Sequence, residues 1–163
     1  MAKTLTQPLT QTLKNPCAVL NNPTAGSPTP ASLTFTTAGQ PTTVATMLVP
    51  FFTAGADGSI LKSMIVATND SAARYLGVWI QPAGSGSYYL LGQVIVGALA
   101  GDGAAGATVN VDVLSNLVIT GLSFDQLGKP VLPLVAGTVI ALSLATQATT
   151  DKALWVTGVA EDF

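Results

Sequence analysis

From Val44 onward the apolar residues of this chain recur at every second position, in short runs broken by Gly, Pro, Asn and Asp. That period belongs to a half-buried β-strand and not to a helix. The clearest run is Thr108-Val109-Asn110-Val111-Asp112-Val113, whose valines are expected to face a core while Asn110 and Asp112 face solvent or a neighbour. Strands are likewise expected over Val44–Phe52, Ile60–Thr68, Ala73–Gln81, Tyr88–Leu99, Thr138–Ala145 and Ala153–Ala160, with turns at Ala56-Asp57-Gly58, Asn69-Asp70, Pro82–Ser87, Gly101–Gly106 and Thr149–Lys152. Ser115 to Pro133 is less regular, and Phe124–Pro130 reads as a loop by its Gly and Pro. No amphipathic helix interrupts the series. The prediction is an all-β fold, an antiparallel β-sandwich with jelly-roll-like connectivity.

Residues 1–45 obey a different rule. Pro8, Pro16, Pro23, Pro28, Pro30 and Pro41 leave no space for a helix of useful length, and the segment is Thr/Pro/Gln-rich with almost no charge. The expected organisation is therefore an extended N-terminal arm at 1–45 and a β-sandwich domain at 46–163. Leu5, Leu9, Leu13, Val19, Leu20, Leu33 and Phe35 dot the arm, too sparse for a core of their own but suited to shallow pockets on a partner. These seven are the candidate partner-binding residues. An unattached tail is the alternative for such a composition.

Chemistry is limited by what is missing. The chain has no His, one Cys, and only six Lys/Arg and eight Asp/Glu, so most groups that transfer protons, attack carbonyls or hold metals are absent. No catalytic residue, cofactor or metal site is expected. At 48% hydrophobic and 9% charged residues, against roughly 25% charge in an average domain, the surface must be clothed in Thr, Ser, Gln and Asn or covered by neighbouring subunits, which points to a homo-oligomer. The basic residues are scattered singly, giving no footprint for nucleic acid or anionic lipid.

Mean hydropathy is +0.52, yet the uncharged stretch Pro130 to Thr150 is broken by Pro133 and Gly137 and its later half alternates large Ile140, Leu142 and Leu144 with small Ala141, Ser143 and Ala145. That is strand sequence, so no membrane span is expected. The N-terminus shows no apolar signal-peptide core. Cys17, alone, can form no intrachain disulfide and is expected as a small buried or interfacial apolar residue.

Three motifs invite a sharper reading and lose it. Gly101-Asp102-Gly103-Ala104-Ala105-Gly106 fits a dinucleotide loop in spacing, but it opens period-two sequence where a phosphate-binding helix would have to start. Gly121-Leu122-Ser123 begins like a nucleophile elbow, but Asp125 stands at the last glycine and no histidine exists to accept the serine proton. Asn69-Asp70-Ser71 is a formal glycosylation sequon that reads more simply as a turn. The carboxylates are mostly isolated in sequence and sit largely at turns, without the local spacing of a calcium loop. Tyr75, Trp79, Tyr88, Tyr89 and Trp155 are expected in core or intersubunit packing, with stacking on a sugar ring as the alternative.

The segment Ile60–Gly77, with its core Ser63-Met64-Ile65-Val66-Ala67-Thr68-Asn69-Asp70-Ser71-Ala72-Ala73-Arg74, followed by the loop Pro82-Ala83-Gly84-Ser85-Gly86-Ser87, resembles a strand-and-turn pattern of small virion proteins of tailed bacteriophages. Leu134–Ile140 and Leu154–Glu161 continue it, so that it spans roughly residues 59–163. The resemblance implies a non-enzymatic virion protein made in the host cytoplasm, most directly a capsid decoration or cement protein that binds and stabilises the assembled head through its N-terminal arm and intersubunit contacts. It would be a trimer, partnered by the major capsid protein or other virion proteins. A neck, tail or baseplate component and a carbohydrate-binding host-attachment module are the alternatives.

Overall fold

The computed structural model describes residues 12–21, 48–103, 108–117, 119, 121–145 and 148–163. Within them the chain forms eleven strands and a single helical turn. β1 (Thr12–Lys14), β2 (Cys17–Asn21), β3 (Val49–Thr53), β4 (Ser59–Thr68), β5 (Arg74–Gln81) and β6 (Tyr89–Val96) come first. β7 (Val111–Asp112), α1 (Val113–Asn116), β8 (Ser123–Phe124), β9 (Pro130–Leu134), β10 (Val139–Leu144) and β11 (Ala153–Asp162) complete the order.

Every described pairing is antiparallel. In the first sheet the path runs β1-β11-β4-β9-β8. β2 lies in line with β1 along one edge of β11, and β7 in line with β9 along the far edge of β4. The second sheet runs β3-β10-β5-β6. The inward side chains of both sheets make one core: Leu61, Met64, Val66, Leu154 and Val156 from the first meet Phe51, Leu76, Val78, Ile140, Leu142 and Leu144 from the second. This is an all-β sandwich, as the alternation predicts.

The periodicity is sharpest where one sheet face is covered. β4 alternates buried Leu61, Met64, Val66 and Thr68 with half-exposed neighbours, its phase reset by a bulge against β11 between Val159 and Ala160. β10 departs from alternation because both of its faces are covered: Ile140, Leu142 and Leu144 enter the main core, and Ala141 packs with Leu48 and Trp79 on the outer side.

Three expectations change. Residues 12–21 do not stand apart from the sandwich, because β1 and β2 extend its first sheet and Leu20, only 1% exposed, fills the shared core beside Ala18. Cys17 points the other way and is exposed. The run 108–113 is not a regular strand. Val109 is 84% exposed, only Val111 and Asp112 pair with β4, and the chain then turns helical so that Val113 and Leu114 reach the core. Asp112 makes that turn possible by capping it, its carboxylate accepting from the Ser115 N–H and hydroxyl.

Candidate functional site

The two ends of the sandwich are closed by polar knots. At one end Asp70, fully buried, accepts from Arg74 Nε at 2.7 Å, from the backbone N–H of Ala72 at 3.0 Å, and from the N–H and Oγ1 of Thr149 at 2.9 and 2.8 Å. This ties the β4–β5 turn to the β10–β11 turn. Burial alone would raise the carboxyl pKa, but the hydrogen bonds from Arg74, Thr149 and Ala72 outweigh it and hold Asp70 well below the usual carboxylate range. Next to it Asn69 Oδ1 accepts the Ala153 N–H at 2.9 Å, which spends the sequon asparagine on the turn itself.

At the other end Ser59 donates to Asp162 Oδ1 and accepts the Gly55 N–H, while Lys14 of β1 reaches Asp162 at 3.7 Å. Beside this knot lie two adjoining hollows of about 430 and 330 Å³, both walled by Pro133, Leu134 and Val135. Asp57 and Ser59 are the main polar side chains of the larger, which Phe163 borders. Asp125 likewise serves structure, its Oδ1 accepting the N–H groups of Leu127 and Lys129 to close the β8–β9 hairpin. Asp70, Asp112 and Asp125 thus organise turns while Glu161 and Asp162 lie in β11, and among the described residues no three His, Cys, Asp or Glu side chains gather where a metal could bind.

The described residues on either side of the glycine loop are hydrogen-bonded to one another. Gly101 N–H donates to Thr108 O at 2.7 Å and Asp102 N–H to Leu99 O at 3.0 Å. Gly101 has φ +75°, and its missing Cβ leaves the space that Asn110 Oδ1 occupies. Residues 108–110 belong to no helix and β7 pairing follows them, so among the described residues this loop leads into no helix N-terminus for a phosphate.

What remains for function is the pair of outer faces. On the first sheet Trp155 of β11 is exposed between Val19 of β2 and Ala67 of β4, and Thr157 lies between Cys17 and Ile65. The ion pairs of this sheet, Lys62 with Glu161 and Lys14 with Asp162, lie at one end, and Asp112 of β7 stands opposite Ile65. On the second sheet exposed Tyr75 stands opposite exposed Ile95, and Leu90 opposite Trp79. Across the four strands of that sheet the one charged side chain is Arg74, and its Nε is turned into the Asp70 knot. β6, eight residues without Lys, Glu or Pro, is an edge strand among the described elements. The outer face of the second sheet is thus uncharged and partly apolar.

The seven arm residues separate on this frame. Leu13 and Val19 are exposed on the first sheet and remain available to a partner, Leu20 is taken by the core, and Leu5, Leu9, Leu33 and Phe35 lie outside the described residues. The strand at 17–21 had a signal in the sequence, since Cys17-Ala18-Val19-Leu20 is a short β-prone run held between Pro16 and Pro23. The aromatic residues do not form one platform: Tyr75 and Trp155 belong to different sheets, and Tyr75 and Tyr89 lie at opposite ends of the β5–β6 ribbon.

Comparison with protein families, curated proteins and solved structures finds no match. Among the described residues no helix is long and apolar enough to cross a membrane.

Proposed function

We propose that this chain is a non-enzymatic structural subunit of a tailed-phage virion, a capsid decoration protein that stabilises the assembled head through contacts with the major capsid protein and with copies of itself. The observation that carries the reading is the uncharged outer face of the second sheet, where Tyr75, Ile95 and Leu90 are exposed and Arg74 is engaged by Asp70. A monomer gains nothing from such a face, whereas a subunit packed into a lattice buries it.

The connectivity supports the same reading. β2 pairs with β11, β3 with β10, β4 with β9 and β5 with β6. These are nested antiparallel pairs, and successive pairs alternate between the first and second sheet. A long two-stranded ribbon wound into a roll produces that order, with β11·β4 and β10·β5 as the seams made by winding. We read the sandwich accordingly as a jelly roll, an architecture used by viral capsid and lectin domains. The assembly would be a closed cyclic trimer. Because such a protein binds the assembled shell and not its disassembled parts, it stabilises the shell by mass action in proportion to occupancy.

The lectin precedent keeps a carbohydrate-binding host-attachment role as a second reading, with Tyr75 or Trp155 as a single stacking ring. A neck, tail or baseplate position is the other. Quantitative mass spectrometry of purified virions separates these. A decoration protein is expected near one copy per major capsid subunit or a simple fraction of it. About a dozen copies or fewer would place it in a cyclic neck or tail ring, and its absence from particles would reject the virion reading.

A further inference from the structure

Asp-Gly occurs twice in this chain, at Asp57-Gly58 and at Asp102-Gly103. It is the dipeptide in which an aspartyl side chain most readily closes on its own backbone, because glycine places no Cβ beside the peptide nitrogen that must attack. The two copies share this local chemistry and differ in what holds them. The fold therefore decides between them.

Gly58 is clamped. It is buried, its N–H donates to Gly55 O at 3.1 Å, its carbonyl accepts from the Phe163 N–H at 3.2 Å, and a Cβ on it would stand 3.1 Å from Leu134 O. The nitrogen beside Asp57 is thus already bonded and cannot approach the carboxyl unless the turn opens. Gly103 has none of these restraints. Asp102 and Gly103 are both exposed, and a Cβ at Gly103 would meet no atom within 4 Å. Among the described residues neither the Asp102 carboxylate nor the Gly103 N–H has a hydrogen-bond or ion-pair partner. Only the preceding backbone is anchored, with Asp102 N–H on Leu99 O at 3.0 Å and Gly101 N–H on Thr108 O at 2.7 Å. From that fixed base the Asp102 side chain and the Gly103 nitrogen can turn toward each other.

We infer that Asp102-Gly103 is a self-modification site at which the folded chain isomerises to isoaspartate, and that the fold protects Asp57-Gly58 from the same reaction. In the first step the backbone nitrogen of Gly103 attacks Cγ of the Asp102 carboxyl in its acid form. The N–Cγ bond forms, the Cγ–OH bond breaks, and the amide proton leaves with that hydroxyl as water, closing a five-membered succinimide. Water then adds back. Attack at Cγ restores aspartate, whereas attack at the main-chain carbonyl carbon breaks its bond to the Gly103 nitrogen and leaves the chain running through Cγ. The water lost is regained, so no oxidant or other co-reactant enters and the product keeps its mass. What changes is shape. The main chain gains a methylene, and a free α-carboxylate projects from an exposed loop, where it is a substrate for a protein carboxyl methyltransferase that uses S-adenosylmethionine. The inference is independent of the virion reading.

The second Asp-Gly makes the test internal to one molecule. The full chain is held in warm neutral buffer for several weeks, sampled, digested and mapped by mass spectrometry. Succinimide reads as a peptide lighter by one water, and isoaspartate as a peptide of unchanged mass with a new retention time that endoproteinase Asp-N no longer cuts at that residue. In the folded protein the Asp102 peptide should convert many times faster than the Asp57 peptide. In guanidinium chloride the two should convert at similar rates, because the unfolded chain gives both the same freedom. Asp102→Glu, whose ring would need a sixth member, should melt with the wild type, yield no modified peptide at this loop, and lose most of the methyl label that aged wild type takes from S-adenosylmethionine through a carboxyl methyltransferase. Equal conversion of the two sites in the folded protein overturns the inference, as does an Asp102 that stays intact when folded but converts when unfolded. The single variants Asp102→Asn and Asp57→Asn repeat the comparison with a faster reaction, ammonia leaving in place of water: the same ranking supports the inference, and equal or reversed rates in folded protein reject it.

Discussion

Arg74 donates its Nε–H to Asp70 Oδ2 at 2.7 Å, and the carboxylate that receives it is wholly removed from solvent. Four residues of sequence separate the pair, but its strength comes from Thr149, distant in the chain, whose N–H and hydroxyl complete the shell and whose hydroxyl also accepts from Arg74 Nη2 at 2.8 Å. Asparagine at position 70 has one oxygen for donors that now use two, so its NH₂ would face one of them. Asp70→Asn is expected to destabilise the fold by about 3 kcal/mol, measured by thermal or urea unfolding at neutral pH.

The same carboxylate sets a pH dependence. Its pKa in the folded state lies below the unfolded value, so its contribution is complete above the ordinary carboxylate pKa of about 4 and is lost as pH falls toward the folded value, where only the unfolded chain takes up the proton. Melting temperature measured from pH 7 downward should show the gap between wild type and Asp70→Asn narrowing below about pH 4. A gap that stays constant to pH 2.5 would mean that the charge of Asp70 contributes nothing.

Gly77 makes room for Trp79. A Cβ at position 77 would stand 2.8 Å from Ser143 Oγ and 3.0 Å from Trp79 Nε1, the two atoms joined by a 2.8 Å hydrogen bond on the outer side of the second sheet. Gly77→Ala should therefore cost about 1–3 kcal/mol and shift the tryptophan emission. Gly86→Ala, with nothing within 4 Å and no positive φ, is the matched control and should change stability by no more than about 0.5 kcal/mol.

How much was legible follows from where periodicity and tertiary context agree. β4, β5, β10 and β11 fall within a residue or two of their expected spans, because each lies between paired neighbours and its alternation is imposed by a covered face. The arm misled through composition: Cys17–Leu20 is a short β-prone run, but no local pattern reveals that β11 supplies the edge that buries Leu20. The Asp70 knot was invisible for the same reason, since Thr149 enters from another turn. The Asn69-Asp70 turn was readable, but its partners were not.

β2 now yields a prediction about faces. Leu20 is in the core while Val19, its neighbour, is 48% exposed beside Trp155. Leu20→Asp places an unpaired carboxylate among Leu154 and the other core residues and should cost several kcal/mol, on the order of 3–5. Val19→Asp should leave the melting temperature within a few degrees. Equal melting of the two variants would mean that this strand is turned over.

The run at 108–113 gives the clearest contest between sequence pattern and structure. Strict alternation would bury Val109, Val111 and Val113 alike. In the fold Val109 is exposed, Val111 is half-buried against β4, and Val113 is fully buried at the first position of α1. The helical turn is the cause: Asp112 caps it, so the chain leaves the strand after two paired residues and swings Val113 and Leu114 together into the core. Aspartate substitution should therefore be graded along the chain. Val109→Asp should be nearly neutral, Val111→Asp intermediate, and Val113→Asp the most damaging, at several kcal/mol on the order of 3 or more. Urea midpoints for the three variants decide it, because a continuous strand would make Val109→Asp as costly as Val113→Asp.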